Sequence, residues 1–246
     1  MFAYLTRGMI RFTLFGIPVE IQPFFWLTTA LLGGAISADT KEGFLAVALF
    51  MLAACVSILI HEFGHALTGR KLGGGEATIL LHPMGGLAFN RGGRFTRHQH
   101  FLMIAAGPGA GFAFLLMILA TLAAIFGSQN IIAFAGGELF NLRLAFSDRS
   151  LVEFLQAKPF IYIFLSNLLW INFWWGVINL VPVMPLDGGQ VTNLYVRPQH
   201  RVHFIGMIAA ASMAAVGFLK FHSIYMAVLF GYFAWKNYQE MKSYGG

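Results

Sequence analysis

The apolar run from Phe44 to Thr68 is long enough to cross a bilayer as a helix, yet near its far end it carries His61-Glu62-Phe63-Gly64-His65. A spanning helix needs about 20 mostly apolar residues. An ionisable side chain near its centre costs about 2.5–3.5 kcal/mol on insertion scales, so a cluster of them marks a site. Residues four apart on a helix share a face, with Cβ atoms about 5–6 Å apart, which lets His61 and His65 converge on one ion. Zinc in a hydrolytic site takes three protein ligands and keeps one position open. The H-E-x-x-H spacing makes Glu62 the general base that takes a proton from water, not a ligand. For a lone histidine, ordinary hydrogen bonding within the fold would be the better reading; the quintet favours a metal.

Composition points the same way. Of 246 residues, 58% are hydrophobic and 11% charged, against about 25% charged in a soluble domain. The chain reads as an all-α polytopic membrane protein, a single domain over residues 1–246 with six spans at about 21–38, 44–68, 100–127, 159–184, 204–218 and 224–235. Residues 72–100 are too polar and Gly-rich to cross. There, Thr78–Leu81 and Leu87–Phe89 flank Pro83-Met84-Gly85-Gly86, which predicts a membrane-associated β-hairpin. The first run competes with a cleaved signal peptide, with Ala35-Ile36-Ser37 as its processing site. Gln22, Pro23, Gly33 and Gly34 make a poor signal core, so a retained helix is preferred.

The net charge of +6 raises the question of nucleic acid, but the sixteen Lys and Arg residues are scattered between apolar runs. They form no basic stripe, and the lipid bilayer is the partner they imply. Cys55 is the single cysteine and forms no internal disulfide. Within 128–158, Ser150 and Glu153 have capping-box spacing for a short helix toward Ala157. Gly107-Pro108-Gly109-Ala110-Gly111 in the third run suits close helix packing.

The fourth run ends in Asn179-Leu180-Val181-Pro182-Val183-Met184-Pro185-Leu186-Asp187-Gly188-Gly189. Two prolines so close cannot continue a helix, since each lacks an N–H and clashes with the preceding turn. Broken backbone at membrane depth survives only where protein or a wet cavity satisfies it. Asp187 is either the third metal ligand or part of an ordinary Asp-Gly turn, and this stretch alone weights the two equally.

Six spans divide the cations eleven to five, with Arg7, Arg11, Arg70, Lys71, Arg91, Arg94, Arg97, Arg197, Arg201, Lys236 and Lys242 on the richer side. The positive-inside rule then puts both termini in the cytoplasm. Spans two and four run inward, and His61, His65 and Asp187 fall near their inner ends at similar depth.

Taken together, these residues resemble the site-2 proteases, polytopic intramembrane zinc metalloproteases. That family pairs H-E-x-x-H with a later N-x-x-P-x-x-x-x-D-G, matched here by His61, Glu62 and His65 and by Asn179, Pro182, Asp187 and Gly188. The resemblance implies that His61, His65 and Asp187 bind Zn2+ and that Glu62 activates water. It further implies that Asn179 helps position substrate or the developing oxyanion. The hairpin at Gly85 and Gly86 would offer a strand edge to an unwound substrate, a ready way to hold extended peptide. A transmembrane substrate protein and regulated intramembrane proteolysis in a bacterial or archaeal cell membrane follow from the same likeness. The layout resembles the compact branch, with no PDZ-like insert and no nucleotide-sensing domain. It departs from the family at Gly111, where Asn is frequent.

Two other functions compete. A metal transporter would also carry His and Glu on helices, but no second span repeats the set. A pseudoprotease would bind transmembrane helices without cutting them, although every residue needed for hydrolysis is present. Serine and aspartyl intramembrane proteases are disfavoured, because the only Asp residues are Asp39, Asp148 and Asp187 and no Gly-x-Ser-x-Gly elbow occurs.

Overall fold

The structure is a computed structural model and describes residues 8–245; Arg7, counted above among the N-terminal cations, lies outside them. In chain order it contains β1 (Ile10–Leu14), β2 (Ile17–Ile21), α1 (Pro23–Leu32), α2 (Lys41–Gly73), β3 (Glu76–His82) and β4 (Gly85–Arg91). These are followed by α3 (Arg97–Phe126), α4 (Ser128–Phe140), α5 (Ser150–Ala157), α6 (Pro159–Asn179), α7 (Asp187–Tyr195), α8 (Gln199–Leu219) and α9 (Ile224–Gly245). The helical class is as the sequence predicts. The sheet is larger than the single hairpin expected, with four strands in the order β1-β2-β3-β4.

Four helices, α2, α3, α6 and α8, are long and apolar enough to cross a membrane, which makes this an integral membrane protein. The expected first span, 21–38, is not one helix. Pro23 opens α1, but the helix is only ten residues long before Gly33 caps it and Gly34 turns at φ 88°. At 1.5 Å per residue α1 is about 15 Å long, half of the roughly 30 Å hydrocarbon layer. The last helix, α9, matches α8 in length, with 22 residues against 21. Lys236, Glu240 and Lys242 nevertheless leave it less apolar than the other four.

The N-terminal chain still travels the length of α2, in pieces. Arg70, near the end of α2, donates to the carbonyls of Phe15 and Gly16 at the β1–β2 turn. β2 then runs back beside α2, where Ile17, Val19 and Ile21 pack with Ile79 and Leu81 against Ile58, Phe63 and Ala66. α1 continues until Gly33 meets Phe50, and Thr40 caps the start of α2 through the Gly43 N–H at 3.0 Å. Strand, short helix and turn together do what one apolar helix was expected to do.

β2 pairs in parallel with β3, Val19 opposite Ile79 and Ile21 opposite Leu81. β3 and β4 form the predicted hairpin, longer at both ends, and His82 pairs with Gly85 across a two-residue turn. The inner side chains of β2 and β3 are apolar and almost fully covered where they pack on Ile58, Phe63 and Ala66 of α2. β4 and β1 are the edges of the sheet.

Helix boundaries follow local chemistry. Thr96 accepts the Gln99 N–H while the Gln99 side chain accepts the Thr96 N–H, a capping box that starts α3 three residues before the predicted position. The capping box expected at Ser150 does not form. Ser150 is the first helical residue, and its N–H and hydroxyl donate to Asp148. The connection expected over 128–158 contains α4, which buries Ile131, Phe134 and Leu139 against Leu115, Leu151 and Leu169. α6 ends at Asn179, five residues before the span predicted to 184, because the two prolines follow at once.

Candidate metal centre

α2 supplies His61 and His65 one turn apart, and the first residue of α7 supplies Asp187. The Nε2 atoms of the two histidines are 3.1 Å apart, and Asp187 Oδ2 stands 3.1 Å from His61 Nε2 and 3.4 Å from His65 Nε2. All three side chains are buried. The turn at Asp187 delivers its carboxylate to the histidine pair, where the three side chains could hold a metal ion. Among the described residues this is the one group of three His, Cys, Asp or Glu side chains able to hold a metal.

The donors fit a metal on grounds of hydrogen bonding. His65 Nδ1 lies 2.9 Å from the Met103 carbonyl, which only accepts, so Nδ1 carries the proton and Nε2 presents a lone pair. Asp187 Oδ2 is buried with no hydrogen bond of its own. Its other oxygen, Oδ1, accepts from Gln190 Nε2 at 3.4 Å, one turn along α7. Lone-pair atoms turned toward one another in a dry place are costly unless a cation stands among them. A carbonyl holding the far nitrogen of a ligating histidine is the usual support for such a site.

Glu62 is 4% exposed, packs on Gly86 of β4 and lines the same cavity as the histidine pair. Gly86 and Ala88 of β4 line that cavity as well. Gly86 lies against the Glu62 side chain so closely that a Cβ at Gly86 would sit 2.4 Å from Glu62 Cγ. Gly107 of α3 does the same for His65, since a Cβ there would come within 2.1 Å of Nε2. Glycine at these two positions is a requirement of the site.

A cavity of about 350 Å3 opens onto His61, Glu62, His65 and Asp187, and Gly86 and Asn179 also line it. Asn179 is buried at the end of α6 and donates to the Trp175 carbonyl at 3.0 Å, leaving its oxygen uncommitted. Gly85 lies beside the Trp175 ring. The structure therefore brings His61, Glu62, His65, Gly86, Asn179 and Asp187 to one cavity, with Gly85 beside it. Gly111 faces Asn172 of α6, whose amide donates to Ser57 Oγ and the Leu168 carbonyl, each at 2.8 Å. The polar group at that level comes from α6 instead of α3.

Sequence reasoning missed Gln190, Asn172 and the Met103 carbonyl. Gln190 follows Asp187 by one helical turn, a spacing that was readable. Asn172 stands alone in an apolar run, which is itself a signal. A backbone carbonyl leaves no trace in sequence.

These features define a class, that of helical membrane proteins with a buried two-histidine, one-carboxylate metal-donor set and a further carboxylate beside it. The chain belongs to peptidase family M50, the site-2 protease family, whose model matches residues 49–221. Zinc metalloprotease MJ0392 of Methanocaldococcus jannaschii is 26% identical over 230 residues, 90% of this chain and 58% of that protein. Rip3 of Mycobacterium tuberculosis is 27% identical over 183 residues, 72% of this chain and 38% of that protein. The chain thus spans less than two thirds of the curated relatives it matches. The solved site-2 protease from Methanocaldococcus jannaschii shares the fold, with a TM-score of 0.53 at 22% identity and 95% of each chain covered.

Proposed function

We propose that this chain is an intramembrane endopeptidase that hydrolyses peptide bonds in or near transmembrane segments of membrane-protein substrates, in regulated intramembrane proteolysis. The observation that carries this is the convergence of His61, His65 and Asp187 on one point of a cavity that also exposes Glu62. His61 Nε2, His65 Nε2 and an Asp187 oxygen would hold Zn2+. When bound, the ion supplies a Lewis acid that polarises a peptide carbonyl and lowers the pKa of water.

The protein does the rest. Glu62 takes the proton of the attacking water and delivers it to the departing amide nitrogen. Gly86 of β4 packs against the Glu62 side chain and limits where its carboxylate can turn. Asn179, whose Nδ2 spends one N–H on the Trp175 carbonyl, has a second N–H that would donate to the substrate or its developing oxyanion. Substrate peptide has to be locally extended, because a helix hides its peptide bonds. The hairpin at Gly85 and Gly86 lines the cavity with strand backbone to which such a segment can add.

Topology supports the same reading. The cytoplasmic placement of both termini inferred from the charge split is supported by the β2–α1 leg beside α2 and by α9 packed along α8.

The test is Glu62→Gln in purified protein with a membrane-spanning reporter. Cleavage is expected to fall by at least about 100-fold, the lower range for loss of a general base, while bound zinc stays at the wild-type level. A zinc chelator should also stop cleavage. Normal cleavage by Glu62→Gln overturns the mechanism. Zinc flux into liposomes without proteolysis would favour the transporter, which the single metal-donor group among the described residues disfavours.

A further inference from the structure

Asp187 is fixed by what precedes it, and the segment from Val181 to Leu186 has few means of fixing itself. Pro182 and Pro185 have no N–H, and the internal bonds are short turns, Val183 N–H to Val181 O and Leu186 N–H to Val183 O, both at 2.7 Å. The outside support comes from the C-terminal hairpin. Asn237 of α9 is 1% exposed and reaches across to donate Nδ2–H to the Met184 carbonyl at 2.9 Å, three residues before Asp187. The same amide nitrogen donates to the Phe233 carbonyl at 2.9 Å.

Both carbonyls accept only, so the amide orientation is settled and Asn237 Oδ1 faces His203 Nδ1 of α8 at 3.2 Å. His203 therefore donates from Nδ1. The ring of His203 is 7% exposed and lies flat on Tyr244, 5.5 Å between centroids at 6°. Gly206 makes room for the bridge, since a Cβ there would come within 2.6 Å of Asn237 Oδ1. Val183, with no exposed surface, sits beside Phe230 and Phe233 in the same apolar cluster. Phe233 itself lines the metal cavity.

We propose that Asn237, oriented by His203, is a positioning residue that holds the Met184 carbonyl and thereby sets the place of the metal ligand Asp187. An intramembrane chain has no reason to bury a histidine and an asparagine together on two helices whose packing is otherwise apolar, unless their hydrogen bonds do work on a third segment. The third segment is the one that carries Asp187. The proposal rests on the metal-site reading given above.

The test measures zinc binding alone, by competition with a chromophoric chelator, in the full chain in detergent. Asn237→Asp keeps an acceptor for His203 but cannot donate to Met184, and Asn237→Leu keeps the bulk without either bond. Both should raise the zinc Kd by about 10–100-fold, the range for loss of a residue that supports a metal ligand. His203→Phe, which retains the stack on Tyr244, should raise it less. Proteolysis by Asn237→Asp should recover as free zinc is raised above the shifted Kd.

Met226→Ala is the control, because Met226 packs on Gly217 at the far end of the same hairpin. It should lower the melting temperature and leave the zinc Kd within a factor of about two. If Asn237→Asp and Asn237→Leu bind zinc as wild type does, the positioning role is wrong and the metal site stands. If Met226→Ala weakens zinc as much as Asn237→Asp at equal loss of stability, the effect is general loosening and the proposal falls. If the wild-type chain holds no zinc, this proposal and the metal-site reading fall together.

Discussion

Gly107 and Gly109 are two residues apart on α3 and face different things. A Cβ at Gly107 would lie 2.1 Å from His65 Nε2, whereas at Gly109 nothing lies within 4 Å. Gly107→Ala is therefore expected to push the His65 ring off its line and weaken zinc binding by at least about tenfold, in the range seen when the support of a metal ligand is lost. Gly109→Ala should bind zinc as wild type does, and the same chelator competition reads both. In the sequence this glycine run reads as helix packing, and that is half of the truth. Gly107 accommodates a side chain that has to reach a metal, which spacing along α3 could not reveal. His61, Glu62, His65 and Asp187 were legible because their chemistry is unusual in an apolar run. The Met103 carbonyl was not, because a backbone acceptor leaves no trace in sequence, and Gln190 was readable only through its one-turn spacing from Asp187.

The helices that cross were readable from run length and hydropathy, and their ends were readable where a cap was recognised. Thr96 and Gln99 show how a start is shifted by a capping box, and Ser150 shows the reverse. The strands β1 and β2 were not readable. β1 leaves all five of its residues exposed and so has no buried face to impose a period of two. β2 gains its burial from β3, more than fifty residues along the chain. Pairing at that distance is a tertiary fact. Among the connections, Asp148 joins α4 to α5 by accepting from Ser150 and from Asn130, an asparagine with no exposed surface. The hydrogen bonds from Ser150, then that from Asn130, hold the Asp148 carboxyl below the usual carboxylate range. Its stabilising effect is therefore complete above the ordinary value of about 3.9 and is lost as pH falls through the lower folded value. Asp148→Asn is expected to flatten the fall in melting temperature between about pH 7 and pH 3, and an unchanged slope would show that this joint is not what acid loosens.

For the molecule as a whole, the six legs inferred from hydropathy become four long apolar helices, a composite leg of β2 and α1, and a less apolar α9. The placement of the termini is tested by cysteine labelling. In a Cys55→Ser background, Arg94→Cys and Arg149→Cys should react with an impermeant reagent from opposite sides of the membrane. Labelling of both from one side would refute the topology. Charge counting put two unrelated stretches, one ending α2 and one following α6, at similar depth, and the structure brings His61, His65 and Asp187 of those stretches together. The meeting of His61, His65 and Asp187 has a consequence beyond chemistry. An ion shared by α2 and α7 ties together parts of the chain separated by α3 to α6, as a covalent cross-link would. Whatever free energy binds the ion also opposes separation of those helices, by linkage. If the site holds zinc as proposed, stripping it would do two things at once, removing the reagent and untying a joint between α2 and α7, so metal content would set the mechanical integrity of the protein as well as its proposed activity.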